Sequence, residues 1–279
     1  MPATLAFQVW RPGELSGVRR ESGETMDRAA YSLMAAHEDR HWWFVGRRAV
    51  IAALIDRISL AGRPLILEAG CGSGGNIGLL EGRGIVSAFE PFEDAAGNAQ
   101  ARYPGTEVRR GELPDEVPFE EGTFDLVAAL DVLEHVEDDV NSLAALVRLA
   151  KPGAAIIVTV PAHQILWGSH DRRLHHHRRY GKQQMRQIAD AAGAEIEFET
   201  AFNTVLAPVA IVFRMAEKLV GLDLGNQERL PAHPLNKVLG ALFAVERHLV
   251  ARFSLPFGLS YGYILRRRMI DDERGPAAA

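Results

Sequence analysis

From residue 64 onward, short runs of β-branched and apolar residues alternate with stretches in which apolar positions recur every three or four residues. The first pattern fits strands buried on both faces, and the second fits amphipathic helices. Strands are predicted over 64–68, 85–90, 107–109, 124–130 and 154–160. Helices are predicted near 75–81, 92–102 and 138–150, the last ended by Lys151-Pro152-Gly153. Strand, helix, strand at this spacing needs crossover connections, which are right-handed and build a mostly parallel, doubly wound α/β sheet.

The flanks read differently. Residues 27–58 carry helical spacing interrupted near Gly46, which predicts two helical stretches before the first strand. Beyond Pro161 comes a polar loop, 169–180, with four His and four Arg. A helix near 182–192, a strand over 195–202 and a last strand over 258–265 follow. Between those strands, Leu235, Val238, Leu239, Leu242, Phe243, Leu249, Val250 and Phe253 recur at helical spacing. The expected division is a mobile leader over 1–25, a helical lid segment over 26–60 and a core over 61–203. A helical cap insertion over 204–256 and a last strand with a tail over 257–279 complete it.

The composition, 47% hydrophobic and 24% charged over 279 residues, is that of an ordinary globular chain. The lone Cys71 can form no internal disulfide, which fits a reducing, cytoplasmic setting. A formal charge of −5 argues against a protein that coats nucleic acid through its overall field. The longest apolar stretch, 205–213, is too short to span a bilayer.

The strongest chemical signal is LILEAGCGSGG, residues 65–75, where a buried strand meets a glycine turn that opens a helix. Gly70, Gly72 and Gly75 satisfy the dinucleotide pattern, and Glu90 lies where an acid would hold ribose hydroxyls. Glu68, just before the turn, would repel a pyrophosphate but suit a cationic ligand. S-adenosyl-L-methionine carries an ammonium and a sulfonium and no phosphate, so a pocket rimmed by Glu68, Glu90, Glu112 and Asp131 suits it. A nicotinamide or flavin oxidoreductase using the same turn, and a noncatalytic cofactor-binding subunit, are the alternatives.

These residues resemble class I S-adenosylmethionine-dependent methyltransferases, in particular the small-molecule group of types 11 and 12, over about residues 31–214. EAGCGSG resembles the cofactor loop, VSAFEP the end of the second strand and RRGELP the segment near the adenine, where the family usually has Asp. FDLVAALDVLEHVEDD resembles the fourth strand with its active-site edge. The resemblance implies a Rossmann-like, seven-stranded sheet whose last strand is antiparallel and lies between the fifth and sixth. It also implies a cofactor site of Glu68, Gly70, Cys71, Gly72, Gly74, Glu90, Pro91, Glu112, Leu113 and Asp131. The HWWF segment is similar to a subgroup in which an N-terminal helix lies over the cofactor, which would place His41, Trp42 and Arg47 in a lid or wall.

Methyl transfer needs alignment first and a base second, and His suits the second task because its pKa lies near the working pH. His135 follows the fourth strand, and His176 and Asp171 lie in an HD…HxRRY pattern that also resembles the subgroup, so these three are the catalytic candidates. No metal is assigned, although Asp131, Glu134 and His135 have ligand types that could bind one. The expected acceptor is a small or lipid-linked molecule rather than nucleic acid. The helical cap is read as packing on the sheet, with a helix resting on a membrane surface as the alternative.

Overall fold

The computed structural model describes residues 37–220 and 230–268. The expected leader and most of the tail lie outside the described residues. Seven strands form one sheet: β1 (Leu65–Ala69), β2 (Ile85–Glu90), β3 (Glu107–Arg110), β4 (Phe124–Leu130), β5 (Ala150–Pro161), β6 (Ala194–Phe202) and β7 (Ser260–Arg267). Their order is β3-β2-β1-β4-β5-β7-β6. The first five are parallel, and β7 runs antiparallel between β5 and β6. The order therefore matches the arrangement that the resemblance implied.

The order in which strands are added reverses between β1 and β4, which are parallel hydrogen-bonded neighbours. A crevice opens outside the carboxyl ends of strands at such a switch point, and ligands of open α/β sheets bind there. Alternate residues of each strand point to opposite faces, so the sheet has two cores. Leu67, Val127 and Ile156 pack with α4 (Asp139–Leu149) and α6 (Lys182–Ala191) on one face. Ile66, Leu126 and Ile157 pack on the other with α1 (Trp42–Ile55), α2 (Ile77–Glu81), α3 (Glu93–Arg102) and α8 (His233–Val250). Two further helices, α5 (Ser169–Arg173) and α7 (Ala207–Val220), flank the carboxyl edge.

Four local expectations change. Helix α1 runs unbroken through Gly46, because a Cβ there would lie 2.4 Å from the Phe243 ring. The glycine permits close packing on α8 and does not end the helix. Lys151-Pro152-Gly153 lies inside β5, at a register shift where Pro152 needs no ladder donor and Gly153 takes a φ of +71°. The start of the polar loop forms the short helix α5. The last strand begins two residues late, since Gly258 passes so near β6 that a Cβ would lie 2.2 Å from the Phe202 carbonyl oxygen.

The cap helix differs most. Phe243 and Val250 are buried, whereas Leu235, Val238, Leu242, Leu249 and Phe253 remain 40–60% exposed. Packing on α1 uses a different stripe, in which Gly240 lies over Trp42.

Candidate functional site

The turn after β1 takes left-handed backbone at Gly70 (φ +64°), Gly72 (+58°) and Gly74 (+88°), a region open to glycine at no steric cost. At Gly70 a Cβ would also meet Val132 Cγ2 at 2.8 Å, so the turn lies directly against the end of β4. Buried Glu90, closing β2, accepts the Gly72 N–H at 2.9 Å and is followed by half-buried Pro91. Cys71 is buried in the same turn, and burial, then Glu68 and Glu90, push its thiol up. The three glycines thus turn the chain through backbone that side chains rarely adopt, and the protein's own Val132 and Tyr103 side chains occupy the space a Cβ at Gly70 or Gly74 would take.

Glu68, on β1, is 1% exposed. Asn76 Nδ2 donates to its Oε1 at 2.8 Å, whereas Oε2 has no partner. Burial pushes the Glu68 carboxyl up to about 7. A cationic group beside it would restore the charged form, so the site fits the ammonium of S-adenosylmethionine. Asp131, just past β4, is held at φ +60°, receives the Thr159 hydroxyl at 2.9 Å and lies 2.6 Å from Arg47 Nε. Gly111 donates to the Glu90 carbonyl, which brings the next two residues to the same carboxyl edge. There Glu112 is exposed and backbone-paired with Glu116, while Leu113 is buried.

The three catalytic candidates meet at the ends of β4 and β5. His176 Nδ1 lies 3.0 Å from Asp171 Oδ1, and the His135 and His176 rings stand edge to face with centroids 4.7 Å apart. Asp171 is fully buried; burial opposes its ionisation, but the His176 hydrogen bond and the Arg179 guanidinium, 2.8 Å away, hold it well below the usual range. A carboxylate can only accept from the ring, so this contact calls for the tautomer with its N–H at Nδ1. His135 is pushed down to about 3 by desolvation, then by His176 and His177, so its imidazole is neutral. The loop is tied to β4: His177 N–H donates to the Glu134 carbonyl at 2.7 Å, and the buried Tyr180 hydroxyl reaches Leu133 O and Asp139.

Helix α1 lies against the same strand ends, through Arg47. Its His41 cap accepts the Trp43 N–H, and Trp42 turns toward α8, where its ring lies 6.2 Å from Phe243. Arg47, the third lid candidate, reaches the strand ends at Asp131. Arg48 donates to Gly75 O and Glu38 O, and Glu38 also pairs with Arg102 of α3. The turn over 37–41 thus sits on the start of α2.

Comparison with known proteins agrees with this fold. Residues 67–158 match the family described as "Methyltransferase domain". The chain carries a class I S-adenosylmethionine-dependent methyltransferase domain. A probable S-adenosylmethionine-dependent methyltransferase of Mycolicibacterium smegmatis is 28% identical to it over 163 residues, 57% of this chain and 62% of that one. Norajmaline N-methyltransferase of Rauvolfia serpentina is 33% identical over 110 residues, 36% of this chain and 37% of that one. The chain therefore spans less than two thirds of the length of these relatives. Phosphoethanolamine N-methyltransferase 2 of Haemonchus contortus, solved with S-adenosyl-L-methionine, shares the fold at TM-score 0.52 and 15% identity, covering 78% of this chain and 52% of that one.

Two features of the site were not read from sequence. Arg214, on α7, lies 3.4 Å from Asp171 and donates to Leu166 O; nothing in its local pattern marks it. Thr159 and Asn76 support Asp131 and Glu68, and both stand at ends of predicted elements, where such support belongs. Of the possible ligands read from sequence, Glu134 and His135 group with His176 in place of Asp131: each of the three offers a ligating atom, and these lie within 4.8 Å of one another. Among the described residues this is the cluster able to hold a metal ion. Glu134 is buried with Oε2 unpartnered, and burial, then Asp131, raise its carboxyl well above the usual range.

Proposed function

We propose that this methyltransferase alkylates a hydroxyl or amine on a small or lipid-linked acceptor, with His176 as the base. The carrying observation is the buried Asp171–His176 pair beside the β4 edge. When bound, S-adenosylmethionine supplies a methyl group on a cationic sulfur that leaves as a neutral thioether. The turn at Gly70, Gly72 and Gly74 would receive it, Glu68 would face its ammonium and Glu90 its ribose.

His176 Nε2 takes the acceptor's proton as the new bond to carbon forms, and Asp171 steadies the resulting imidazolium. The neutral His135 ring walls the acceptor, and α1 excludes water, which strengthens these charge interactions. The overall charge of −5 favours a small acceptor over nucleic acid, and norajmaline N-methyltransferase is named for such an acceptor. Incubation with methyl-labelled S-adenosylmethionine and a panel of phenols, alcohols, amines and lipid extracts tests this. Label should pass to an organic product with wild type and not with His176→Ala; label passing only to nucleic acid would refute it.

A further inference from the structure

We infer that the outer face of the cap helices α7 and α8 docks on an anionic lipid bilayer. Along α8, Leu235, Val238, Leu242, Val245 and Leu249 recur at alternating spacings of three and four, and each is 40–55% exposed. They form one continuous apolar stripe beside the stripe that packs on α1. On α7, Val209 and Val212 are 72% and 70% exposed. Isolated exposed apolar residues are normal, but a ridge of this length on a water-facing helix marks a contact surface.

Charge selects the occupant. The acids on the two helices are Glu217 and Glu246, both buried; Glu246 is consumed by the Val205 N–H. The exposed charges on the two helices are Lys218, Lys237, Arg247 and, just past the end of α8, Arg252. A second copy of this chain would bring like charges together along the seam. A leaflet of anionic headgroups complements them, and long basic side chains can extend to phosphates while the stripe enters the acyl boundary. Elsewhere the protein is acidic, since the whole chain carries −5, so such a surface would attract the cap and repel the rest. No helix among the described residues is long and apolar enough to cross a membrane, so contact would be in the plane of the interface.

The face is joined to the acceptor side. Arg214 of α7 donates to Leu166 O, and Lys218 to Ile165 O, while the Ile165 side chain is 71% exposed. These bonds hold the segment that leads into Asp171, so docking would set the loop of the Asp171–His176 pair beside the lipid.

Flotation of the full-length protein with phosphatidylcholine vesicles, with and without phosphatidylglycerol, tests the inference independently of methyl transfer. The protein should float with the anionic vesicles and stay below with the neutral ones. Lys237→Ala and Arg252→Ala should each weaken partitioning about fivefold, and Val245→Glu should abolish it with an unchanged circular-dichroism melt. Three results would overturn it. They are a wild type that does not float with anionic vesicles, flotation indifferent to Val245→Glu, and light scattering that shows a dimer which Val245→Glu dissolves, since the stripe would then be covered by a second copy.

Discussion

His176 and Asp171, five residues apart on one loop, are joined by a 3.0 Å contact from imidazole Nδ1 to a carboxylate that has no exposure to water. The pair fixes the tautomer, so removing the ring removes proton transfer without disturbing the glycine turn. His176→Ala should lower kcat by about 10²- to 10⁴-fold, with S-adenosylhomocysteine affinity unchanged by calorimetry. Because His135 sits near pKa 3, it stays neutral through the working range and should leave no limb in the pH–rate profile. Loss of cofactor binding in His176→Ala would contradict the assignment.

Gly72 combines a φ of +58° with an N–H given to Glu90. An Asp there would strain the backbone and set a second carboxylate against Glu90. Gly72→Asp should therefore reduce S-adenosylhomocysteine binding at least a hundredfold while the chain still melts cooperatively. Near-wild-type affinity would show that the turn does not hold the ligand.

Glu68 should give cofactor binding a pH dependence. Its folded-state pKa of about 7 lies above the usual 4.5, so the folded protein retains a proton that the unfolded chain has released between those values. Stability from this group is therefore complete below pH 4.5, declines as pH rises through 7, and totals about 3 kcal/mol. Cofactor affinity runs the opposite way, rising toward pH 8 as the carboxylate forms. Glu68→Gln should raise the apoprotein Tm at pH 8, weaken cofactor binding and flatten both profiles; an unchanged slope would exclude Glu68 as the ammonium partner.

Glu134, His135 and His176 are close enough to share a cation, yet His176 can act as a base only if Nε2 is free. Turnover should survive dialysis against a strong chelator and should not rise on adding magnesium, manganese or zinc. Strict metal dependence would instead make these three residues ligands.

Much of this site is written in local pattern. A strand running into closely spaced glycines can hardly fold otherwise than as the β1–α2 turn, and Glu90 and Asp131 fall at strand ends whose period is plain. The HD…HxRRY loop marked Asp171 and His176, but their contact with His135 depends on Tyr180 and His177 anchoring the loop to β4, a long-range event without a local signature. Gly46 misled for a similar reason, since its role is set by Phe243, almost 200 positions away. The cap followed the same logic: helical period foretold α8, but which of its two apolar stripes meets α1 is decided by Gly46 and Gly240, where the backbones approach.

The central claim is that the β1–α2 turn receives a cationic adenosyl ligand and rejects a pyrophosphate. Thermal melts with S-adenosylhomocysteine and with NAD, each at saturating concentration, test it most directly. A ligand bound by the folded state at a hundredfold excess over its Kd adds about 2.7 kcal/mol, a shift of several degrees. The account predicts that shift with S-adenosylhomocysteine and none with NAD; a rise with NAD alone, or with neither, would contradict it.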